Sequence, residues 1–335
     1  MRTLFRLLIT LIVIIAILAG IGYFMLRRGD IAYATLEEKY ANPESEYVDL
    51  AGGVRMHYRD QGKADGPTLV MVHGYSASLH TWEPLVPLLG DRYRIVTLDL
   101  PGHGLTQAPG DYDASIGAFV EAVEAFAVAK QLERFTLAGS SMGGHVAWEY
   151  AIAHPERLNG LILVDAAGWP DARADAENQP LVFRLLANPV ARTVLRDLDN
   201  TALIRGGLEN SFADPALAND AMVTRYAELA RAPGHRKILM DLFAPDARTP
   251  ATAERLAAIR VPTLILWGES DNLVPPAHAR QFAAAIPGAE LITWTDVGHI
   301  PQEENASGTA DAIGDFLARV HAPGPSTAPA AVTTP

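Results

Sequence analysis

Six short apolar runs recur along the chain: Thr68–Val72, Arg94–Leu98, Phe135–Ala138, Leu161–Val164, Thr263–Trp267 and Leu291–Thr295. Short unbroken runs of this kind fill strands buried on both faces. Helical stretches lie between them, among them Ser115–Lys130, Gly143–His154, Ala277–Ala285 and Gly308–Val320. Alternation of strand and helix predicts an α/β fold, a mostly parallel sheet with helices on both faces. Upstream, Glu46–Leu50 and Val54–Asp60 alternate around Gly52-Gly53, the pattern of an antiparallel hairpin. From Asp165 to Arg260 no strand pattern appears. That interval is too long for a loop and has its own apolar residues, so it reads as a helical cap inserted after the sixth strand. Phe183, Leu186, Phe212, Leu239, Leu242 and Phe243 are candidates for its inner side or its own core.

The third run leads into Gly139-Ser140-Ser141-Met142-Gly143-Gly144. This is the end of a strand, a tight turn and the start of a helix. A serine at such a turn is held in strained backbone above the sheet. Side chains at Gly139 or Gly143 would collide with the neighbouring strand or helix. The helix that follows aims free N–H groups and a partial positive charge at whatever Ser141 attacks. One short segment thus supplies a nucleophile and part of an anion-stabilising site, provided a base, an acid and a second donor exist elsewhere.

Three further segments supply them. Leu69-Val70-Met71-Val72-His73-Gly74-Tyr75 is a strand running into a loop, and the backbone N–H of Tyr75 is the candidate second donor beside that of Met142. Trp267-Gly268-Glu269-Ser270-Asp271 ends a strand in an acidic loop, where Asp271 is placed to orient a histidine; Glu269 and Asp165 compete for that role. Of ten histidines only His278, His299 and His321 follow Asp271. His278 falls in a helical stretch and His321 begins the tail, which leaves His299, after the last strand, as the general base. The chain order Ser141, Asp271, His299 is that of a nucleophile-elbow hydrolase. His103 reads as a turn-holding residue, and His145 as a helix residue turned from the site. No His-Glu-x-x-His or calcium-loop pattern occurs, so no metal is expected.

The N-terminus carries a different signal. From Leu7 to Leu26 no charged residue occurs, with Arg2 and Arg6 before the run and Arg27 and Arg28 after it. Twenty such residues in helix span about 30 Å, one hydrocarbon core. A cleaved signal peptide has an apolar region of about 7–15 residues, and the site Ala32-Tyr33-Ala34 lies far downstream. The expectation is a retained single-pass anchor with the body on the extracytoplasmic side, the alternative being secretion after cleavage. The formal net charge of −12 argues against a nucleic-acid partner. The chain has no cysteine, which excludes disulfides, thiolate zinc sites and a cysteine nucleophile.

Beside this reading, residues 46–320 resemble the α/β-hydrolase superfamily, in its capped lipase, esterase and epoxide-hydrolase-like branch. The resemblance is carried by His73-Gly74-Tyr75, Asp99-Leu100-Pro101-Gly102-His103-Gly104, Gly139-Ser140-Ser141-Met142-Gly143-Gly144, Trp267-Gly268-Glu269-Ser270-Asp271 and Gly298-His299. It implies an eight-stranded sheet and no cofactor. The membrane segment followed by Lys39-Tyr40-Ala41-Asn42-Pro43 is also similar to exported bacterial lipases and esterases of this branch. Ser141 stands where dehalogenases and epoxide hydrolases carry aspartate, and the loop after His73 lacks the His-Gly-x-Gly-Pro-Gly pattern frequent in carbon–carbon hydrolases. The expected organisation is an anchor at 1–29, a polar linker at 30–45, a core at 46–165 and 261–320, a helical cap at 166–260 and a disordered tail at 321–335. The expected activity is hydrolysis of a small-molecule carboxylic ester with a hydrophobic acyl or alcohol group. Rivals are another reaction of the same residues (thioesterase, lactonase, carbon–carbon hydrolase, acyltransferase) and a non-catalytic membrane-tethered binding protein.

Overall fold

Eight strands form one sheet in the order β1-β2-β4-β3-β5-β6-β7-β8. They are β1 (Ser45–Leu50), β2 (Val54–Gly62), β3 (Thr68–Val72), β4 (Arg94–Leu98), β5 (Phe135–Ser140), β6 (Leu158–Val164), β7 (Thr263–Gly268) and β8 (Glu290–Trp294). This computed structural model describes residues 2–170, 188–244 and 246–322. β2 runs antiparallel to both β1 and β4, and every pairing from β4 through β3 to β8 is parallel.

Alternate residues of each strand feed opposite cores. Val70 and Val72 of β3 pack with Phe119, Val123 and Phe126 of helix Ile116–Ala129 and with Val146 of helix Met142–Ala153. Leu69 and Met71 of the same strand pack on the other face with Trp82, Leu85, Ile313 and Phe316. Because both faces are covered, the central strands read as unbroken apolar runs. Parallel neighbours also place every loop that follows β3, β5, β6, β7 and β8 at one edge of the sheet, where ligands bind in open α/β sheets.

Between β6 and β7 the described residues form helices Pro189–Arg196, Thr201–Ser211, Asp220–Leu229, His235–Asp241 and Ala253–Leu256, with no strand among them. This is the helical insertion expected after the sixth strand. Phe212 packs with Leu208, Val223 and Ile300, while Leu242 joins the main core. Phe183 and Leu186 lie outside the described residues, as does the expected tail beyond Ala322.

The segment 30–45 is more than a polar linker. It contains helix Tyr33–Tyr40, whose Leu36 is buried with Leu105, Leu229 and Ala232. Tyr33 and Tyr40 pack against the same cluster, and the polar residues of the outer face obscured this short stripe in the sequence.

N-terminal to it, helix Arg2–Leu26 is uncharged from Leu7 to Leu26 and long enough to cross a membrane, and its apolar window is not buried against the protein. Its C-terminal end is tied to the insertion. Arg28 N–H donates to the Asp197 carbonyl (2.9 Å) and Asp199 N–H to the Leu26 carbonyl (2.8 Å). Arg236 donates to the Arg28 carbonyl (2.8 Å) and to Asp30 (2.6 Å).

Candidate active site

Ser141 sits between β5 and helix Met142–Ala153 with φ 53° and ψ −116°. Non-glycine residues rarely adopt such a backbone, so the strain must be imposed from outside. The neighbouring glycines allow it. A Cβ on Gly139 would lie 2.1 Å from the Gly143 carbonyl oxygen, and one on Gly143 would lie 2.3 Å from that of Val72. The turn is then stitched to β6: Ser141 N–H donates to the Val164 carbonyl (2.9 Å), and Ala167 N–H donates to the Ser141 carbonyl (2.9 Å). Behind the serine, buried Gln302 donates from Nε2 to Ser140 Oγ (3.2 Å) and to Thr81 Oγ1 (2.9 Å).

Asp271 follows β7 and His299 follows β8, the two neighbouring parallel strands. His299 Nδ1 lies 2.7 Å from Asp271 Oδ2. A carboxylate only accepts, so Nδ1 carries the proton and Nε2 is left as the acceptor. Asp271 is itself held by its own loop, with Oδ1 accepting the N–H groups of Leu273 (2.7 Å) and Val274 (2.9 Å). The competitor Glu269 points elsewhere and accepts from Thr293 Oγ1 at 2.7 Å on the outer edge. The other competitor, Asp165, does face the pair: donor atoms of Asp165, Asp271 and His299 lie within 4.8 Å of one another. Such spacing would suit a metal ion, but Asp271 Oδ1 and Oδ2 and His299 Nδ1 are already engaged in the hydrogen bonds above.

The loop after β3 comes close to the serine. A Cβ on Gly74 would stand 3.1 Å from Ser141 Cβ and 3.7 Å from its Oγ. His73 sets the direction of this loop. Its Nε2 accepts the Leu100 N–H (3.1 Å), so Nδ1 carries the proton and donates to the Gly74 carbonyl (2.8 Å). In a trans peptide the N–H opposes the C=O; the Tyr75 N–H therefore points away from the His73 ring. Burial pushes His73 below the ordinary imidazole value, which keeps it neutral in this role. Asp99 braces the same region by accepting from His57 Nδ1 (2.7 Å) and from the N–H groups of Leu79 (2.7 Å) and Leu105 (2.9 Å). Burial alone would raise that carboxyl, but the hydrogen bond and charge of His57 hold it well below the usual range.

His103 is buried against the His73 ring at 4.9 Å, with Nδ1 on the Pro101 carbonyl (3.1 Å). His145 stacks on Trp148 (4.7 Å) and reaches the Thr249 carbonyl (3.0 Å). The Tyr75 ring meets Phe243 of the insertion at 5.4 Å.

Some positioning groups left little trace in the sequence. Glu304 accepts N–H groups from Gly298 (2.6 Å), Ala213 (2.9 Å) and Asp214 (3.1 Å), tying the histidine loop to the insertion. A carboxylate five residues after His299 was the only local sign. Gln302 had none.

A match to the model of the alpha/beta hydrolase fold family runs over residues 67–306, most of the chain. The chain belongs to the α/β-hydrolase family. Among its relatives, Lipase 3 of a Moraxella species is 27% identical over 82% of this chain and 85% of its own. The 2-hydroxymuconate semialdehyde hydrolase of a Pseudomonas species is 29% identical over 84% of this chain and 96% of its own. Among solved structures, a membrane phospholipase A described as a bacterial virulence factor superimposes with a TM-score of 0.69 at 28% identity, covering 95% of this chain and 99% of its own. This α/β-hydrolase is therefore a hydrolase with a lipase, a carbon–carbon hydrolase and a phospholipase among the proteins it is similar to.

Proposed function

We propose that this α/β-hydrolase is a serine carboxylic-ester hydrolase acting through Ser141, His299 and Asp271. The observation that carries the reading is the buried 2.7 Å His299–Asp271 pair at the sheet edge that also presents the strained Ser141. His299 Nε2 takes the Ser141 hydroxyl proton as Oγ attacks the ester carbonyl, forming a bond to carbon and moving the π electrons onto oxygen. The N–H groups of Tyr75 and Met142 receive that oxyanion. The first is turned away from His73, and the second heads a helix whose opening N–H groups have no intrahelical partner. Collapse expels the alcohol, which takes the proton from His299. Water, deprotonated by the same nitrogen, then releases the acid and restores Ser141. Asp271 remains ionised and fixes the imidazole tautomer.

The helical insertion lies over this edge and brings Phe243 to Tyr75, which favours a substrate with an apolar acyl or alcohol group. Helix Arg2–Leu26 serves as a single-pass anchor with the enzyme body outside the cytoplasm. Its direct ties to the insertion, and the lipase and membrane phospholipase among the relatives, support an enzyme working beside lipid.

The test is hydrolysis of p-nitrophenyl esters of short to long chain by the detergent-solubilised protein beside Ser141→Ala and His299→Ala. Both variants are expected to fold and to lose nearly all turnover. Wild-type rates in either one refute the assignment. Labelling of Ser141 by a fluorophosphonate without activity on any ester would point to another acyl substrate of the same residues.

A further inference from the structure

Asp165 directly follows β6 with φ 43°, an uncommon backbone for a non-glycine residue, and its side chain is fully buried. Its N–H donates to the Leu266 carbonyl (3.0 Å) and its Oδ1 accepts the Gly268 N–H (3.0 Å). Its Oδ2 is buried and meets no hydrogen-bond donor. What it does face is Asp271 and His299, within 4.8 Å. Two buried carboxylates this near each other strongly disfavour carrying charge together, and a proton on one of them would let it donate to the other. The donors decide which one carries it. Asp271 accepts three N–H groups, from Leu273, Val274 and His299 Nδ1. Asp165 accepts one. A carboxylate with three donors keeps its charge, so the proton belongs on Asp165.

We propose that Asp165 is a positioning residue of the site: a buried carboxylic acid that donates an O–H hydrogen bond to Asp271 and so keeps that carboxylate aimed at His299 Nδ1. The inference rests on the Ser141–His299–Asp271 reading and adds a fourth member to it. The unpartnered Oδ2 is the oxygen that holds the proton. Burial, then the charge of Asp271, drive the Asp165 carboxyl well above the ordinary range, and Glu304 adds to this from the helix after His299. Strain at Asp165 fits the same role. The turn is stitched to Ser141 through Val164 and Ala167, so the contact positions Asp271 relative to the nucleophile as well as the base.

The test compares Asp165→Asn, Asp165→Leu and Asp271→Asn in the full-length, detergent-solubilised protein. Asparagine can accept from Gly268 and donate an N–H to Asp271; leucine can do neither. Asp165→Leu is expected to lower kcat by roughly ten- to hundred-fold with little change in KM, as loss of an orienting partner does. The acid limb of its pH–rate profile moves to higher pH, because Asp271 without its donor holds the imidazolium more tightly. Asp165→Asn is expected to recover most of that loss and to return the limb to the wild-type position. The infrared spectrum at mildly alkaline pH should contain a carboxylic-acid C=O band that disappears in Asp165→Asn. Glu303, which burial raises to about 7, is ionised there and does not mask it. The infrared measurement still decides if Asp165→Leu fails to fold. The proposal is overturned if the band is absent, if Asp165→Asn loses as much rate as Asp271→Asn, or if a folded Asp165→Leu keeps the wild-type profile. Ser141→Ala run alongside separates the two ideas: activity in that variant removes the serine reading, whereas a dead Ser141→Ala with unaffected Asp165 variants removes only this one.

Discussion

The carbonyl of Ser211, at the end of an insertion helix, accepts the backbone N–H of His299 at 2.7 Å. The helical insertion is therefore part of what holds the proposed base, in addition to covering the sheet edge. Contact here is tight: a Cβ on Gly298 would lie 2.5 Å from the Ser211 oxygen and 2.7 Å from the Ala213 nitrogen. Both are backbone atoms that cannot rotate away. Gly298→Ala should therefore displace the histidine loop. A displacement of about 1 Å can cost on the order of 10²-fold in rate. The expected result is a loss of that order in kcat with Ser141 still labelled by a fluorophosphonate, though slowly. Wild-type kinetics would show that the loop tolerates the shift.

The two acidic residues of the β7 loop should behave differently. Asp271 holds the His299 tautomer, so Asp271→Asn is expected to lower kcat by about 10⁴-fold, the scale seen when a triad carboxylate becomes an amide. Glu269 bonds Thr293 at the exposed edge, and Glu269→Gln should leave the rate near wild type. Equal losses in the two variants would mean that the acid has been misassigned.

Stability should fall on mild acidification. His73, His103 and His235 are fully buried, and burial holds each below the ordinary imidazole value. In the unfolded chain they titrate near 6.5. Below that pH the unfolded state takes up protons that the folded state refuses. Their contribution is thus present above about pH 6.5 and is lost as pH falls toward the folded values. The raised Asp165 and Glu303 carboxyls work in the opposite direction, because the folded state holds their protons more tightly than the unfolded chain does. The histidines therefore prevail only once all three titrate in the unfolded chain, and Tm followed by calorimetry should decline from about pH 6 to about pH 5. A flat Tm across that window would contradict the burial of these rings in neutral form.

The N-terminal helix makes its own prediction. The full chain should sediment with membranes after alkaline carbonate washing and dissolve only in detergent. A chain beginning at Asp30 keeps the ion pair of Asp30 with Arg236 and should stay folded and soluble. A reporter at the C-terminus that works only outside the cytoplasm should be active. Activity of a cytoplasm-dependent reporter would reverse the orientation, and a mature mass lacking the helix would establish cleavage.

Local pattern carried a large share of the architecture. β3 and β4 have the bounds that their apolar runs predict, and helix Ala277–Ala285 does too, because burial on both faces or on one stripe writes itself into adjacent residues. The nucleophile turn was legible for a similar reason. Only glycine fits at positions 139 and 143, where backbone oxygens stand just over 2 Å from any Cβ. Less of the site's support could be read this way. Ser211 acts through a carbonyl that every residue owns, and Leu36 docks a helix through one buried side chain. Asp165 was visible only as a rival to Asp271, and its relation to that residue depends on the register that sets β6 beside β7. From the sequence alone came the order of elements, the candidate nucleophile and base, a choice of three carboxylates for the acid, and the apolar N-terminal span, since each depends on neighbours within a few residues. Tertiary structure alone decided which carboxylate meets His299, which face of the β3 loop turns to Ser141, and how the insertion grips the histidine loop. Those relationships join atoms far apart in the chain, and no short-range pattern can encode them.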